Sequence, residues 1–320
     1  MSLLRRFYDD KGWIHKYRPK TVDELIIPDN LKEYAKNIIE SENIGSILLN
    51  GRAGIGKTSF AFVLADTLEY DTLYINCSVK TGIDVLRTDI QDFAYSMSLE
   101  HDKKVVILDE MDRLSPNTMD GLKSFMEEFS STTDFICITN HKDKLPEPVI
   151  SRTEDIEFSL SKDDKVKLAK QFYARFVKIL ESENAPCNKD VCKHLMATYF
   201  PDMRKILIEA QKLNKQGILG DYDVVRSKII DGSETYNLIN DAVKNGVNYP
   251  KIRKFVMQYG DADTFFSYVF ETFHKNVKPE FIPQMALMIE EHSYKSKFSA
   301  DIQINLTAFI MDVILLINGD

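Results

Sequence analysis

The chain has 320 residues, of which 44% are hydrophobic, so it can bury sizeable cores and is expected to form two or three folded, soluble domains. Its formal net charge is -8, which argues against a surface coated in positive charge. Any contact with nucleic acid therefore has to use a local basic stripe.

Neither terminal region has the pattern of a membrane segment. The apolar stretch from Ile304 to Gly319 contains Asn305 and Asp312 and is too short to span a bilayer comfortably, which favours a buried helix. The first residues include two arginines but no apolar core of a signal peptide. We expect a cytoplasmic protein, in the host cytoplasm if the source is viral, with no membrane partner.

Short apolar runs alternate with helical stretches between residues 46 and 158. The runs are SILLN, TLYINC, KKVVILD, DFICIT and DIEFSL. Helices are expected to begin at Lys57 and to extend from about Gly82 to Met97 and from Ser115 to Phe129. This alternation predicts an α/β fold in which helices cover both faces of a parallel sheet.

After residue 159 only helical patterns follow. The first of these helices starts with a cap formed by Ser161 and Asp164, a second runs from Asp190 to Tyr199, and a third ends at Gly217. About five more helices are expected beyond residue 231. The predicted domains are a nucleotide-binding domain at 1–158, a helical lid at 159–230 and a helical collar for oligomerisation at 231–320.

A glycine-rich loop lies between the first strand and the first long helix. It fits the spacing glycine, four residues, glycine, lysine and serine or threonine, which is the phosphate-binding P-loop, or Walker A motif. Its glycines let backbone N–H groups point at phosphate oxygens, while Lys57 meets the terminal phosphates and Thr58 holds Mg²⁺. The predicted phosphate-binding residues are Gly51, Arg52, Ala53, Gly54, Ile55, Gly56, Lys57, Thr58 and Ser59.

The run VVILDEMD predicts a buried strand that delivers Asp109 and Glu110 at its carboxyl end. Asp109 takes the place of the Walker B aspartate that helps to hold Mg²⁺, and Glu110 can polarise an attacking water. Acid pairs are common at strand ends, so this motif favours hydrolysis only in combination with the P-loop.

Two further polar residues follow the next strands. Asn140 ends FICITN, where its amide can orient the water or touch the γ-phosphate, or can simply initiate a turn. Arg152 lies in a polar turn before the fifth strand. It is either a solvated charge or a finger presented to a neighbouring subunit's nucleotide, because its planar fork matches phosphate oxygens.

The ordered set KYRP, GRAGIGKT, VVILDEMD, CITN, SRT and PDMRK resembles the AAA+ ATPase subunits of sliding-clamp loaders, the replication factor C type. The likeness is greatest to the large clamp-loader subunit of T-even-like bacteriophages and spans nearly the whole chain. The KYRP motif and the SR turn are what narrow the resemblance from AAA+ ATPases in general to clamp loaders. DEMD replaces the DEAD of many relatives, and SRT replaces the common SRC, but both acids and the arginine are kept.

The resemblance implies a role for residues in each shared motif. The adenine pocket is implied to be lined by Tyr17, Arg18, Pro19, Ile26 and Ile27. Asn140 would be sensor 1, Arg152 the arginine finger acting in trans, and Arg204 the sensor 2 of the lid, beside the catalytic Lys57 and Glu110.

In similar loaders the segment with Lys80 and Arg87 faces the central channel and follows the duplex backbone. The residues alone show one or two positive charges near a helix N-terminus, for which a solvated helix face is the alternative. The implied partners are a sliding clamp, primer-template DNA and the other subunits of a five-subunit ring, including a smaller companion subunit.

We therefore expect a DNA-stimulated ATPase that uses ATP and Mg²⁺. ATP binding would open and hold the clamp, and primer-template DNA would trigger hydrolysis and clamp release during DNA replication. One alternative is another AAA+ DNA motor, such as a helicase or helicase loader, which would lack the collar. The other is a non-catalytic scaffold subunit, against which the intact P-loop and acid pair argue.

Overall fold

A computed structural model describes residues 12–79, 82–96, 103–228, 233–257, 262–299 and 301–319. They form two compact units. The first comprises the described residues up to Cys187 together with Tyr199–Gly217, and the second comprises Asn188–Thr198 and the described residues from Ile218 onward. The division into three domains at residues 158 and 230 stays a prediction.

The first unit is built on a five-stranded parallel sheet. Its strands are β1 (Ser46–Gly51), β2 (Asp71–Asn76), β3 (Lys104–Asp109), β4 (Thr133–Thr139) and β5 (Glu154–Phe158). The strand order is β2-β3-β4-β1-β5, and every pair is parallel. The carboxyl ends of β3, β4 and β1 are therefore neighbours at one edge, so the residues that follow these strands converge there.

Helices account for most of the remaining described chain. They are α1 (Trp13–Lys16), α2 (Asp29–Ser41), α3 (Lys57–Thr67), α4 (Ile83–Tyr95), α5 (Pro116–Glu128), α6 (Glu147–Ile150), α7 (Lys162–Ser182), α8 (Lys189–Tyr199), α9 (Met203–Lys215), α10 (Tyr222–Lys228), α11 (Ser233–Asn245), α12 (Tyr249–Val256), α13 (Ala262–Asn276), α14 (Ile282–Ser296) and α15 (Ile302–Asn318). Helices α11 to α15 match the five predicted beyond residue 231. In the described part of the chain, no helix combines the length and apolarity that a bilayer crossing requires.

Local sequence signals set the starts of two long helices as predicted. The Ser115 side chain accepts a hydrogen bond from the backbone of Thr118 at the start of α5, where proline occupies the first turn. At α7, Ser161 and Asp164 form a reciprocal capping box, each side chain accepting from the other's backbone N–H at 3.1 Å.

Both faces of the sheet are covered, as the sequence predicted. Ile47 and Leu49 of β1 belong to the core shared with α2 and α3, whereas Leu48 between them belongs to the core shared with α4 and α5. Residues of one strand alternate between faces, so one short apolar run serves two cores. Burial on both sides explains why the inner strands β1, β3 and β4 contain continuous apolar runs.

The second unit has its own core of aromatic and aliphatic side chains from α11 to α15. Phe309 lies at its centre, fully buried, with its ring centroid 5.7 Å from that of Phe265 and 5.2 Å from that of Phe266. The ring of His292 lies 5.5 Å away from the same phenylalanine. These edge-to-face contacts join α13, α14 and α15 in one packing layer.

Phe309→Ala is expected to destabilise this layer by about 3–5 kcal/mol, because it removes a fully buried ring and leaves a cavity. Hydrogen exchange at the amides of α13 to α15 measures the effect as a loss of protection. The control is Phe298→Ala, whose side chain is 74% exposed and which should change protection by no more than about 0.5 kcal/mol. Equal effects of the two substitutions would contradict the central position of Phe309.

Candidate active site

A cavity of about 370 Å³ lies at the carboxyl edge of the sheet. Its wall combines the P-loop, the ends of β3 and β4, the segment before α2, and helices α7 and α9. The sequence-predicted site residues that line it are Tyr17, Arg18, Pro19, Ile26, Ile27, Ala53, Gly54, Gly56, Lys57, Thr58, Ser59, Asp109, Glu110, Asn140 and Arg204. A concave site with a few converging polar groups is typical of a small-molecule pocket.

The loop after β1 requires its glycines for both conformation and space. Gly51, Gly54 and Gly56 have φ values of 140°, 75° and 107°, which side chains disfavour. A Cβ on Gly51 would lie 2.5 Å from the carbonyl oxygen of Phe158, and one on Gly54 would lie 1.9 Å from Oδ1 of Asp202. The backbone therefore approaches its neighbours closely enough to exclude any side chain at these two positions.

Lys57 is the first residue of α3 and is buried with its ammonium group in the loop. Nζ donates hydrogen bonds to the carbonyl oxygens of Gly51 at 2.6 Å and Arg52 at 2.7 Å, and to Oδ1 of Asn140 at 2.8 Å. Burial lowers the pKa of Lys57 to about 8, although the charge of Asp109 acts to raise it. The three oxygens that contact the amine are neutral, so negative charge beside it would stabilise its protonated form. Phosphate groups supply such charge.

Asp109 organises the oxygen atoms beside Lys57. Its Oδ2 accepts hydrogen bonds from Oγ1 of Thr58 at 2.9 Å and from the hydroxyl of Tyr74 at 3.1 Å. Burial and the neighbouring carboxylate raise the pKa of Tyr74, so its phenol stays a donor. A hydroxyl and a carboxylate are oxygen ligands of the kind that Mg²⁺ prefers, so this pair fits the predicted ion.

Glu110 follows β3 directly and lines the cavity next to Asp109. Its backbone is left-handed, with φ 57° and ψ 42°, a conformation that is uncommon for a residue with a side chain. Its carbonyl accepts a hydrogen bond from the amide of Arg113 at 3.0 Å, which closes the short turn Met111–Arg113. The turn ends the strand with an acid at the cavity wall, where a general base can reach a bound water.

The segment before α2 forms a second wall and is attached to α7. The hydroxyl of Tyr17 donates to Oε1 of Glu183 at 2.6 Å. The guanidinium of Arg175 donates to the carbonyl oxygens of Tyr17 at 2.9 Å and Glu24 at 2.8 Å. The guanidinium of Arg18 lies 4.8 Å from the ring centroid of Phe62. These contacts hold the KYRP residues against one side of the cavity.

Helix α9 meets the P-loop itself. The amide of Met203 donates to the carbonyl oxygen of Gly54 at 3.2 Å. Asp202 caps α9 by accepting from the amide of Lys205 at 2.9 Å, and its side chain fills the space above Gly54. Arg204, the second residue of α9, lines the cavity.

Several cavity residues escaped the sequence prediction. They are Ile14, His15, Leu25, Tyr74, Asn76, Ile138, Phe172, Arg175, Ile179, Met203 and Leu207. Phe172 and Ile179 are apolar residues at helical spacing on α7, and such periodicity does not distinguish a core from a pocket wall. The hydroxyl of Tyr74, between two aliphatic residues of β2, is the one signal that could have been used.

Some predicted residues lie outside the cavity wall. Three loop residues do not line the cavity, namely Gly51, Arg52 and Ile55. The carbonyl oxygens of the first two nevertheless accept hydrogen bonds from Lys57. Arg87 is exposed on α4, with its guanidinium 5.5 Å from the ring centroid of Phe125. Lys80 lies outside the described residues.

Arg152 is also outside the cavity of its own chain. Its Nε donates to Oε1 of Glu127 at 2.7 Å, Nη2 contacts the same oxygen, and Nη1 donates to the carbonyl oxygen of Pro148 at 2.6 Å. The guanidinium is thus held at the surface between α5 and α6, in a partly exposed ion pair.

Comparison with known proteins identifies the class of protein to which the chain belongs. Residues 47–160 match the family model described as ATPase family associated with various cellular activities (AAA). A solved structure of the RuvB Holliday junction branch migration motor of Thermotoga maritima shares the fold, with a TM-score of 0.53 and 18% identity, over 80% of this chain and 91% of that chain. Fold and cavity together define a P-loop ATPase of the AAA class, and the predicted fold class is confirmed.

Two relatives narrow this class. The replication factor C small subunit of Staphylothermus marinus is 29% identical, over 97% of this chain and 96% of that protein. The sliding-clamp-loader large subunit of Escherichia phage RB69 is 32% identical, over 72% of each chain. The chain belongs to the family of AAA ATPases formed by these clamp-loader subunits, which confirms the resemblance seen in its motifs.

Proton uptake on nucleotide binding tests the environment of Lys57. Among the protein groups that surround it, the pKa of Lys57 is about 8 rather than the ordinary 10.5, so at pH 8.5 most of the amine is neutral. Phosphate charge raises that pKa, so ADP binding without Mg²⁺ should take up about half a proton or more at pH 8.5 and about a tenth at pH 7. Calorimetry in buffers of different ionisation enthalpy measures this uptake.

The control is Lys57→Arg, whose side chain stays charged at both pH values and should take up no proton at this site. A binding enthalpy at pH 8.5 that does not depend on the buffer in the unsubstituted protein would contradict the low pKa.

Proposed function

We propose that the chain is an ATPase subunit of a DNA polymerase sliding-clamp loader. ATP binding opens and holds the clamp, and primer-template DNA triggers hydrolysis and clamp release. The observation that carries the proposal is the meeting of Lys57, Thr58, Asp109, Glu110 and Asn140 in one cavity of a clamp-loader family member. This set is what phosphoryl transfer to water needs.

Each of these residues has a distinct task. Backbone N–H groups of the loop and the ammonium of Lys57 bind the phosphates, whose negative charge stabilises the buried ammonium. Thr58 and Asp109 hold Mg²⁺, which when bound supplies positive charge to the phosphate oxygens. Glu110 accepts the proton of the attacking water, and Asn140 orients that water or the γ-phosphate as sensor 1.

Two parts of the cavity wall have their own roles in this proposal, one as the pocket for the adenine base and one as the sensor of the helical lid. The adenine pocket in this proposal is formed by Tyr17, Arg18, Pro19, Ile26 and Ile27, and Phe172 and Ile179 of α7 line the same cavity. Arg204 acts as sensor 2. Its positive charge already contributes to lowering the pKa of Lys57, which supports a position close enough to act on the same phosphates.

Arg152 serves a neighbouring subunit in this proposal. The support is its place on the surface, outside the cavity of its own chain. As an arginine finger it stabilises the charge of the neighbour's transition state. The proposed assembly is a five-subunit ring that includes a smaller companion subunit and binds a sliding clamp.

Primer-template DNA is the proposed trigger, contacted by Lys80 and Arg87. The support is the exposure of Arg87 on α4 together with the family's motifs. Because the chain as a whole is acidic, the contact is local, and it is directed at the phosphate backbone, which carries no sequence information.

The deciding experiment measures the ATPase rate of the assembled complex with and without primer-template DNA and a cognate clamp. A clamp loader should show the highest rate with both. Strand unwinding or translocation without any dependence on a clamp would favour a different AAA motor, and a chain with no turnover in any assembly would favour a scaffold subunit.

Glu110→Gln should leave ATP binding intact, because the P-loop and Asp109 are unchanged, and should lower the hydrolysis rate by about 10²–10⁴-fold through loss of the base. The variant should therefore hold clamp and DNA in a long-lived complex. Nucleotide binding and single-turnover hydrolysis measure the two effects separately. Near-normal turnover would remove Glu110 from its proposed role.

Arg152→Ala should keep ATP binding but lower hydrolysis in the assembled complex by about 10³–10⁵-fold, the usual effect of losing an arginine finger. Mixing it with Lys57→Ala subunits creates interfaces where an intact P-loop meets an intact finger, so part of the activity should return. ATPase rates across a mixing series measure this recovery.

The mixing series separates three roles. A finger that acts on its own subunit gives no recovery, because neither variant then has a complete site. A merely solvated arginine predicts that the single substitution has almost no effect. Absence of recovery in verified mixed assemblies would exclude action in trans.

A further inference from the structure

One buried carboxylate joins the turn after β3 to the end of β4. Oδ1 of Asp112 accepts a hydrogen bond from Oγ1 of Thr139 at 2.9 Å and another from the backbone amide of Asn140 at 3.1 Å. Asp112 is 9% exposed and Thr139 is 1% exposed. None of the chemical tasks assigned above uses either side chain.

On the β4 side, these bonds fix the backbone from which Asn140 projects. The hydroxyl of Thr139 donates to Asp112 and accepts from the amide of His141 at 3.0 Å, which holds the chain on both sides of Asn140. The Asn140 side chain in turn accepts from Lys57 at 2.8 Å. A change in the Asn140 backbone would therefore move the amide that faces the phosphate site.

On the β3 side, the same carboxylate anchors the turn that carries Glu110. Asp112 is the middle residue of the turn Met111–Arg113, which begins directly after the left-handed Glu110. A left-handed residue with a side chain persists only where surrounding contacts enforce it. The bonds from Asp112 to β4 supply such a contact one strand away from Glu110.

The charge of Asp112 makes these bonds stronger than those between neutral groups. Burial acts to raise the pKa of Asp112, but the hydrogen bonds from Asn140 and Thr139 outweigh it and hold the pKa below its ordinary value. The carboxylate is therefore ionised at neutral pH, and hydrogen bonds to an ionised acceptor are roughly twice as strong.

We propose that Asp112 and Thr139 are positioning residues for ATP hydrolysis, which lock the turn of Glu110 to the end of β4 so that Glu110 and Asn140 keep one common geometry. The inference rests on the proposed function, because it assumes that Glu110 and Asn140 act on the attacking water. Neither positioning residue touches the nucleotide in this assignment, so both act on turnover and not on binding.

The test compares two substitutions at Thr139 in the full chain, within the assembled complex, one of which keeps the shape of threonine and the other its hydroxyl. Thr139→Val removes the hydroxyl and should lower kcat by about 10- to 100-fold while KM for ATP and ADP affinity stay within about threefold. Thr139→Ser keeps the hydroxyl and should restore most of kcat. Melting of each variant without nucleotide measures folding.

A second variant keeps the test independent of packing at Thr139. Asp112→Asn retains an oxygen that can accept both bonds but loses the charge, so its kcat should fall between those of the unsubstituted protein and Thr139→Val. Thr139→Val with unchanged kcat would overturn the inference. A kcat loss as large in Thr139→Ser as in Thr139→Val would also overturn it, since packing and not the hydroxyl would then be responsible.

Glu110→Gln, measured in the same assay, separates the two proposals. If Glu110→Gln is slow and Thr139→Val is not, the positioning role fails and the proposed function stands. If Glu110→Gln turns over normally, the proposed function fails first, and the positioning role fails with it.

Discussion

The active-site region of the first unit depends on the burial of one ammonium group. The amine of Lys57 is enclosed by two loop carbonyls and the amide oxygen of Asn140, and burial lowers its pKa to about 8 although the charge of Asp109 acts to raise it. Burying a cation is unfavourable unless negative charge compensates it, so this arrangement favours a negatively charged ligand beside Lys57. The glycines of the loop allow its carbonyls to approach the amine, and the order of β3, β4 and β1 brings Asp109 and Asn140 beside it.

The cavity also joins segments that are far apart in the chain. Tyr17 is bonded to Glu183, Arg175 binds the backbone of the segment before α2, and the start of α9 is bonded to the loop carbonyl of Gly54. The shape of this cavity therefore depends on α7 and α9 being in place. A shift of either helix would change the cavity without any change in the P-loop, and would alter the affinity of any ligand bound there.

The parts of the fold that were predicted correctly are those governed by local rules. The five predicted runs became five strands. The inner strands β1, β3 and β4 contain continuous apolar residues because they are buried on both faces, whereas the edge strand β5 exposes its acidic residues. Ser115, Ser161 and Asp164 marked helix starts because a cap satisfies backbone groups within a few residues. Helix α7 shows the limit of this local logic, because its apolar residues at helical spacing include Phe172, which is buried and also lines the cavity, and Val166, which is 59% exposed.

The sequence by itself determined the P-loop, the acid pair after β3 and the family, because each depends on residue types at fixed short spacings whose chemistry needs no distant partner. Only the tertiary structure decided the strand order, the surface ion pair of Arg152 with Glu127, the contacts of Arg175, and the bonds that join Asp112 to Thr139. These features arise between residues separated by about 25 positions or more, or by several elements. Their formation depends on how the sheet and helices pack, and local propensity carries no information about that packing.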